Sequence, residues 1–162
     1  MPDRAPWLVV GVGNELLTDE GVGVAAARAL ATLDLPDVEV LDGGTIGLGL
    51  LPLIEDREGV LVLDAAIREG ADAGDLVVLV GDEVGGGGWL VASPHQVGIV
   101  QALAATELTG RAPTHVAVVG MVPTSLEIGY GLSPAASSQL VTMTETALEL
   151  LAGWGVEVHQ VA

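Results

Sequence analysis

Three stretches of this chain, residues 7–13, 59–64 and 116–120, run almost without interruption through Val, Leu, Ala and Gly. A strand with one face in water alternates polar and apolar residues. A continuous apolar run instead suits a strand buried on both faces, as in a largely parallel sheet between helices. The segments between these runs have helical spacing. Residues 21–33 place Val22, Ala25, Ala26, Ala29, Leu30 and Leu33 on one face, and Pro36 then breaks the helix. Residues 38–41 form a second strand and Asp42-Gly-Gly-Thr45 a turn, with Thr45 as N-cap of a short helix carrying Leu48, Leu51 and Ile54.

The remaining segments complete the pattern. No helix is visible between residues 65 and 74, although a parallel crossover needs about a dozen residues or more, so the strand at 75–80 is expected to run antiparallel. Residues 95–109 read as a helix with Val97, Val100, Leu103, Ala104 and Leu108 on its inward stripe. Ser133 and Pro134 provide the N-cap and first position of a last helix that turns Leu140, Met143, Ala147, Leu148 and Leu151 inward. Alternating strands and helices make residues 1–162 a single α/β domain, a three-layer α/β/α sandwich.

Composition removes whole classes of function. Five basic residues, Arg4, Arg28, Arg57, Arg68 and Arg111, stand against 22 acidic ones, for a net charge of −17. Nucleic acid and anionic membranes both need clustered cations, so neither is expected as a partner. Cysteine is absent, which excludes thiol nucleophiles, disulfides and Cys-ligated metal, and lysine is absent too, which excludes Schiff bases and Ser–Lys dyads. No secretory leader or membrane-spanning run is visible, so a cytoplasmic location is expected. Carboxylates, hydroxyls, backbone groups and three histidines remain to do chemistry.

Topology says where to look among them. If the second and third strands flank the first on opposite sides, a crevice opens between the first and third at their C-terminal ends, the usual ligand site of open α/β sheets. The first strand leads into Gly11-Val-Gly-Asn-Glu-Leu-Leu-Thr-Asp-Glu20-Gly-Val-Gly23. A dinucleotide fingerprint would need a third glycine where Leu16 stands. Asp19 reads as a first-turn acid favoured by the helix dipole. Glu20 faces a second acid, Asp64, which closes the third strand, and two converging carboxylates need a proton or a cation between them. His95, at a helix start where the dipole favours the neutral imidazole, is a candidate third group. One Glu, one Asp and one His suit a divalent transition metal and leave coordination positions open. His115 and His159 have no acidic partner in the pattern and read as surface. The glycine run at residues 85–88 is expected to form a mobile segment beside the cleft.

Six segments carry a family resemblance in order along most of the chain. They are the Gly11–Gly23 stretch just quoted, Leu41-Asp-Gly-Gly-Thr-Ile46, Val62-Leu-Asp-Ala-Ala66, Ser93-Pro-His-Gln-Val-Gly98, Val119-Gly-Met-Val-Pro-Thr-Ser-Leu-Glu127 and Gly131-Leu-Ser-Pro134. With them the sequence resembles the hydrogenase maturation endopeptidases, the processing proteases of nickel–iron hydrogenases. The resemblance implies a phosphorylase/hydrolase-like fold: a five-stranded, mostly parallel sheet of order 2-1-3-5-4 with strand 4 antiparallel. It places the family's metal-binding and catalytic Glu, Asp and His on Glu20, Asp64 and His95. It further implies an aspartic-type endopeptidase that removes the C-terminal extension of a hydrogenase large-subunit precursor. Nickel would be presented by that substrate, another divalent metal could take its place in vitro, and the enzyme is expected to be a monomer. The other readings are a non-catalytic metal-binding maturation chaperone and a nucleotide-binding oxidoreductase.

Overall fold

The structure is a computed structural model that describes residues 4–86 and 93–159. Five strands, β1 (Trp7–Val12), β2 (Val38–Gly44), β3 (Gly59–Ala65), β4 (Leu76–Val80) and β5 (His115–Met121), form one sheet in the order β2-β1-β3-β5-β4. All neighbouring pairs are parallel except β4 with β5. This is the expected architecture, including the antiparallel fourth strand. The connection from β3 to β4 has no room for a crossover helix, so the chain returns in the opposite direction.

The helices are α1 (Val22–Leu30), α2 (Leu51–Ile54), α3 (Asp82–Gly85), α4 (Pro94–Thr109) and α5 (Pro134–Gly153). Because side chains alternate across a strand, the sheet feeds two cores. Val9, Leu61, Leu63, Ala117 and Val119 pack under α1 and α5, while Leu8, Val10, Val60, Val62 and Val118 pack under α2 and α4. Every residue of β1 and β3 is buried, as uninterrupted apolar runs require. Among the described residues no helix is long and apolar enough to cross a membrane.

Local expectations fail where a tertiary contact overrides the pattern. A 3₁₀ turn at Thr18–Gly21 precedes α1, and Thr45 caps nothing, since β2 runs on to Gly44 and the following 3₁₀ turn, Gly47–Leu50, starts from Ile46 without a side-chain cap. The inward stripe of α4 is His95, Gln96, Ile99, Ala102 and Thr106, while Val97 and Leu108 face solvent. Val100 and Leu103 pack against the core as expected, but two polar residues occupy the inward positions of the first turn, so the buried face is rotated away from Val97 and Leu108. The short α3 has no counterpart in the sequence reading. Gly87 and Gly88, half of the run expected to be mobile, lie outside the described residues.

Candidate active site

Two close approaches bring the helix starts onto the C-terminal edge of the sheet. A side chain on Gly23, in the first turn of α1, would stand 2.1 Å from the Leu63 carbonyl oxygen and 2.6 Å from that of Val12. Only glycine lets the helix lie across the ends of both strands. Likewise, a side chain on Gly98 would stand 2.4 Å from the Leu48 nitrogen, so α4 rests directly on the Gly47–Leu50 turn. In sequence, Gly11-x-Gly13 mimics part of a nucleotide loop, yet Gly13 has φ 137° and leaves its Cβ position 1.8 Å from the Glu20 carbonyl oxygen. These glycines serve packing of the chain against itself.

The result is a convergence of the three predicted residues. Asp64 shares the parity of Val60 and Val62, so it points toward α4, and it is fully buried. Its Oδ1 accepts from the Ala65 amide at 2.8 Å and its Oδ2 from the Gln96 side-chain amide at 2.9 Å. His95 Nε2 lies 3.3 Å from Asp64 Oδ1, and His95 Nδ1 lies 3.5 Å from Glu20 Oε1. Ser93 Oγ is 2.9 Å from Nδ1. Glu20 is the most exposed member, with 12% of its side chain in solvent, against 4% for His95 and none for Asp64. It borders a small cleft with Ala65, Ser93, Gln96, Pro123 and Leu126. Among the described residues no three acidic or imidazole groups surround a common point that an ion would fill; the imidazole itself stands between the two carboxylates.

That placement shifts His95 in the direction opposite to the dipole expectation. Burial disfavours a charged His95, but its hydrogen bond to Asp64 and the charges of Asp64 and Glu20 outweigh it, and the imidazole pKa is raised. Desolvation raises Asp64, against the stabilising pull of His95, Gln96 and the Ala65 amide. Desolvation also raises Glu20, with His95 opposing and the Asp64 charge adding to the rise. The same proximity that raises the imidazole pKa offsets part of the repulsion between the two carboxyl groups.

Two further residues shape the site without having been singled out for it. Gln96 donates to both Asp64 Oδ2 and the Ala65 carbonyl, and its Oε1 accepts from the Ser93 amide at 3.2 Å. The Ser93-x-x-Gln96 spacing is a capping-box pattern, which was the available signal. Asp19 is not a first-turn acid in solvent but is fully buried. Its Oδ1 accepts from the Ser133 amide at 2.7 Å. Its Oδ2 accepts from the hydroxyls of Thr124 (2.7 Å) and Ser133 (2.8 Å) and the amides of Thr124 (3.1 Å) and Ser125 (3.2 Å). It ties the turn carrying Glu20 to the connection between β5 and α5. Its partners are 105 to 114 residues away in sequence, and no local pattern announces them.

The other histidines stay outside the site. His115 is half-buried rather than on the surface, in a triangle of rings with Trp7 (5.8 Å, tilted) and Trp154 (5.5 Å, stacked), which lie 5.9 Å from each other. His159 is exposed as expected, although it does have an acidic partner, Asp34, at 3.2 Å.

Fold and site together define an open-sheet α/β protein with a carboxylate–imidazole–carboxylate cluster at its topological switch point. Comparison with known proteins narrows this class. A family model described as hydrogenase maturation protease (HycI) matches residues 24–150. The Hydrogenase 2 maturation protease of Escherichia coli K12 is 40% identical over 152 residues, covering 93% of each chain, and the hydrogenase expression/formation protein HupD of Rhodobacter capsulatus is 39% identical over 97% of this chain and 75% of its own. Among solved structures, the hydrogenase maturating endopeptidase HybD from Escherichia coli superposes with a TM-score of 0.88 at 39% identity, covering 93% of this chain and 94% of that one. The [NiFe] hydrogenase maturation protease HybD from Thermococcus kodakarensis follows with a TM-score of 0.71 at 28% identity, over 89% and 97%. This chain belongs to the hydrogenase maturation protease family.

Proposed function

We propose that this protein is the endopeptidase that removes the C-terminal extension of a nickel-loaded hydrogenase large-subunit precursor, with Glu20, Asp64 and His95 as its catalytic and metal-engaging residues. One observation carries the assignment: in a chain of this family, His95 lies within 3.5 Å of both Asp64 and Glu20 at the sheet's switch point, and Glu20 opens furthest to solvent. Two carboxylates and an imidazole are the donor set of a divalent transition metal. A cation takes the place of the imidazole proton, since both neutralise the same pair of acids. The nickel is substrate here, already held by the precursor. An incomplete shell of three donors holds free metal weakly, while a centre that brings its own ligands also brings the bond to be cut.

The chain's own groups divide the work by exposure. Glu20 faces the cleft with a raised pKa, which suits a base that takes a proton from water as the water oxygen adds to the scissile carbonyl. The C–N bond then breaks and the proton passes to the leaving amine. Asp64, buried and held by Gln96 and the Ala65 amide, keeps the His95 ring in place. Addition of water in this way needs no covalent acyl intermediate, and a carboxylate serves as its base. This makes the enzyme aspartic-type. We further propose that it acts as a monomer in the cytoplasm, where the precursor is made.

The test is cleavage of the precursor followed by gel mobility and mass spectrometry, with and without nickel. Nickel-loaded precursor should be cut and nickel-free precursor left intact. Glu20→Gln, Asp64→Asn and His95→Ala should each lower the rate by at least about a thousandfold, as for a group needed in the transition state. Efficient cleavage of nickel-free precursor in chelator would overturn the mechanism.

A further inference from the structure

Two apolar lips border the cleft. On one side the segments 16–18 and 128–130 are zipped together: the Gly129 amide donates to the Leu16 carbonyl at 2.9 Å and the Thr18 amide to the Gly129 carbonyl at 3.0 Å. This small frame, held from below by Asp19 through Ser125, turns Leu16, Leu126, Ile128 and Tyr130 outward. Ile128 is 91% and Tyr130 77% exposed, and Leu126 shares the cleft wall with Glu20. On the other side Leu48 and Val97 stand in solvent on the turn and the helix start that hold His95. Apolar side chains kept in water on a hydrogen-bonded frame mark a surface built for contact.

Charge indicates what the contact is. The acids along this face are Glu15, Glu20, Asp42 and Glu127, and the guanidinium of Arg28 is already spent, 2.6 Å from Glu15 and 2.8 Å from Asp42. A second copy of a chain carrying −17 would bring like charge against like. An occupant with apolar and cationic side chains meets no such cost.

We propose that the two lips hold the precursor segment flanking the scissile bond as an extended chain whose side chains are apolar or cationic and never acidic. This rests on the assignment as a precursor-cleaving endopeptidase and adds the substrate's local chemistry to it. The lips flank Glu20, the most exposed member of the cluster, so a chain laid across them passes over the reacting groups.

The test uses the full-length protein and the nickel-loaded large-subunit precursor encoded in the same genome, with Kd from biolayer interferometry and KM from the cleavage assay. The double variant Ile128→Ser/Tyr130→Ser is expected to raise both at least tenfold. Leu108→Ser, equally exposed at the far end of α4, should change neither. Circular dichroism confirms folding, and Leu16→Ser is the second variant should the first not fold. Unchanged Kd and KM in a folded lip variant would overturn the docking surface. So would self-association of the wild type that the double variant abolishes, because a second copy would then be the occupant. Lip-dependent binding of the precursor without any cleavage would support the surface while overturning the assignment as a protease.

Discussion

Replacing Asp19 by Asn exchanges one carboxylate oxygen for an amide nitrogen at the centre of the clamp between the Glu20 turn and the connection from β5 to α5. The carboxylate accepts five hydrogen bonds, four at Oδ2 and one at Oδ1. An amide has one acceptor oxygen. Turned toward the four donors, it sets its NH2 against the Ser133 amide and leaves a buried N–H without an acceptor; turned the other way, it abandons four. An unsatisfied buried donor costs roughly 1–3 kcal/mol, and the retained bonds lose their charge assistance, so the total is about 3 kcal/mol. For a domain of this size that lowers Tm by roughly 6–12 °C. Burial alone would raise the Asp19 pKa, but the hydroxyl and backbone donors of Thr124 and Ser133 outweigh it and hold the carboxyl below the ordinary 3.8. A depressed folded-state pKa stabilises fully above the ordinary value and progressively less as pH falls through the folded one. The gap between wild type and variant should therefore be complete at neutral pH and shrink below pH 3.8. Thermal melts by circular dichroism across that range measure both effects. A variant that melts within about 2 °C of wild type at neutral pH would refute the reasoning.

Gln96→Leu removes the donors that hold Asp64 Oδ2 and the Ala65 carbonyl. It should lower the rate of precursor cleavage on the order of 10–100-fold, and a rate within twofold of wild type would show that Asp64 needs no such support. Gly23→Ala places a methyl group 2.1 Å from the Leu63 carbonyl oxygen and must push α1 off the sheet. A loss of about 3 kcal/mol is expected in urea unfolding, the upper part of the usual overpacking range.

Much of this protein is legible in one dimension because burial on both faces demands apolar runs, and helices on those faces demand their own period. That physics locates β1, β3 and β5, the return direction of β4 and the inward face of α5. The candidate trio is legible for a related reason. Open sheets place ligands where strands end at a switch point, and Asp64 stands near the C-terminal end of β3 while Glu20 lies in the connection that leaves β1. Tertiary structure decided the rest. The face of α4 is set by His95 and Gln96 turning in to meet a buried acid, a stronger demand than the apolar spacing of Val97 and Leu108. The upward shift of the His95 pKa comes from two carboxyl groups brought to it by β3 and by the turn before α1, an effect opposite to that of the helix dipole that sequence position alone supplies. Asp19 looks like any acid at a helix start, and only the fold surrounds it with Thr124, Ser125 and Ser133. Local pattern reports what each segment must bury. Which distant polar groups meet inside is a property of the closed structure, because desolvation and hydrogen bonding act only once those groups share a site.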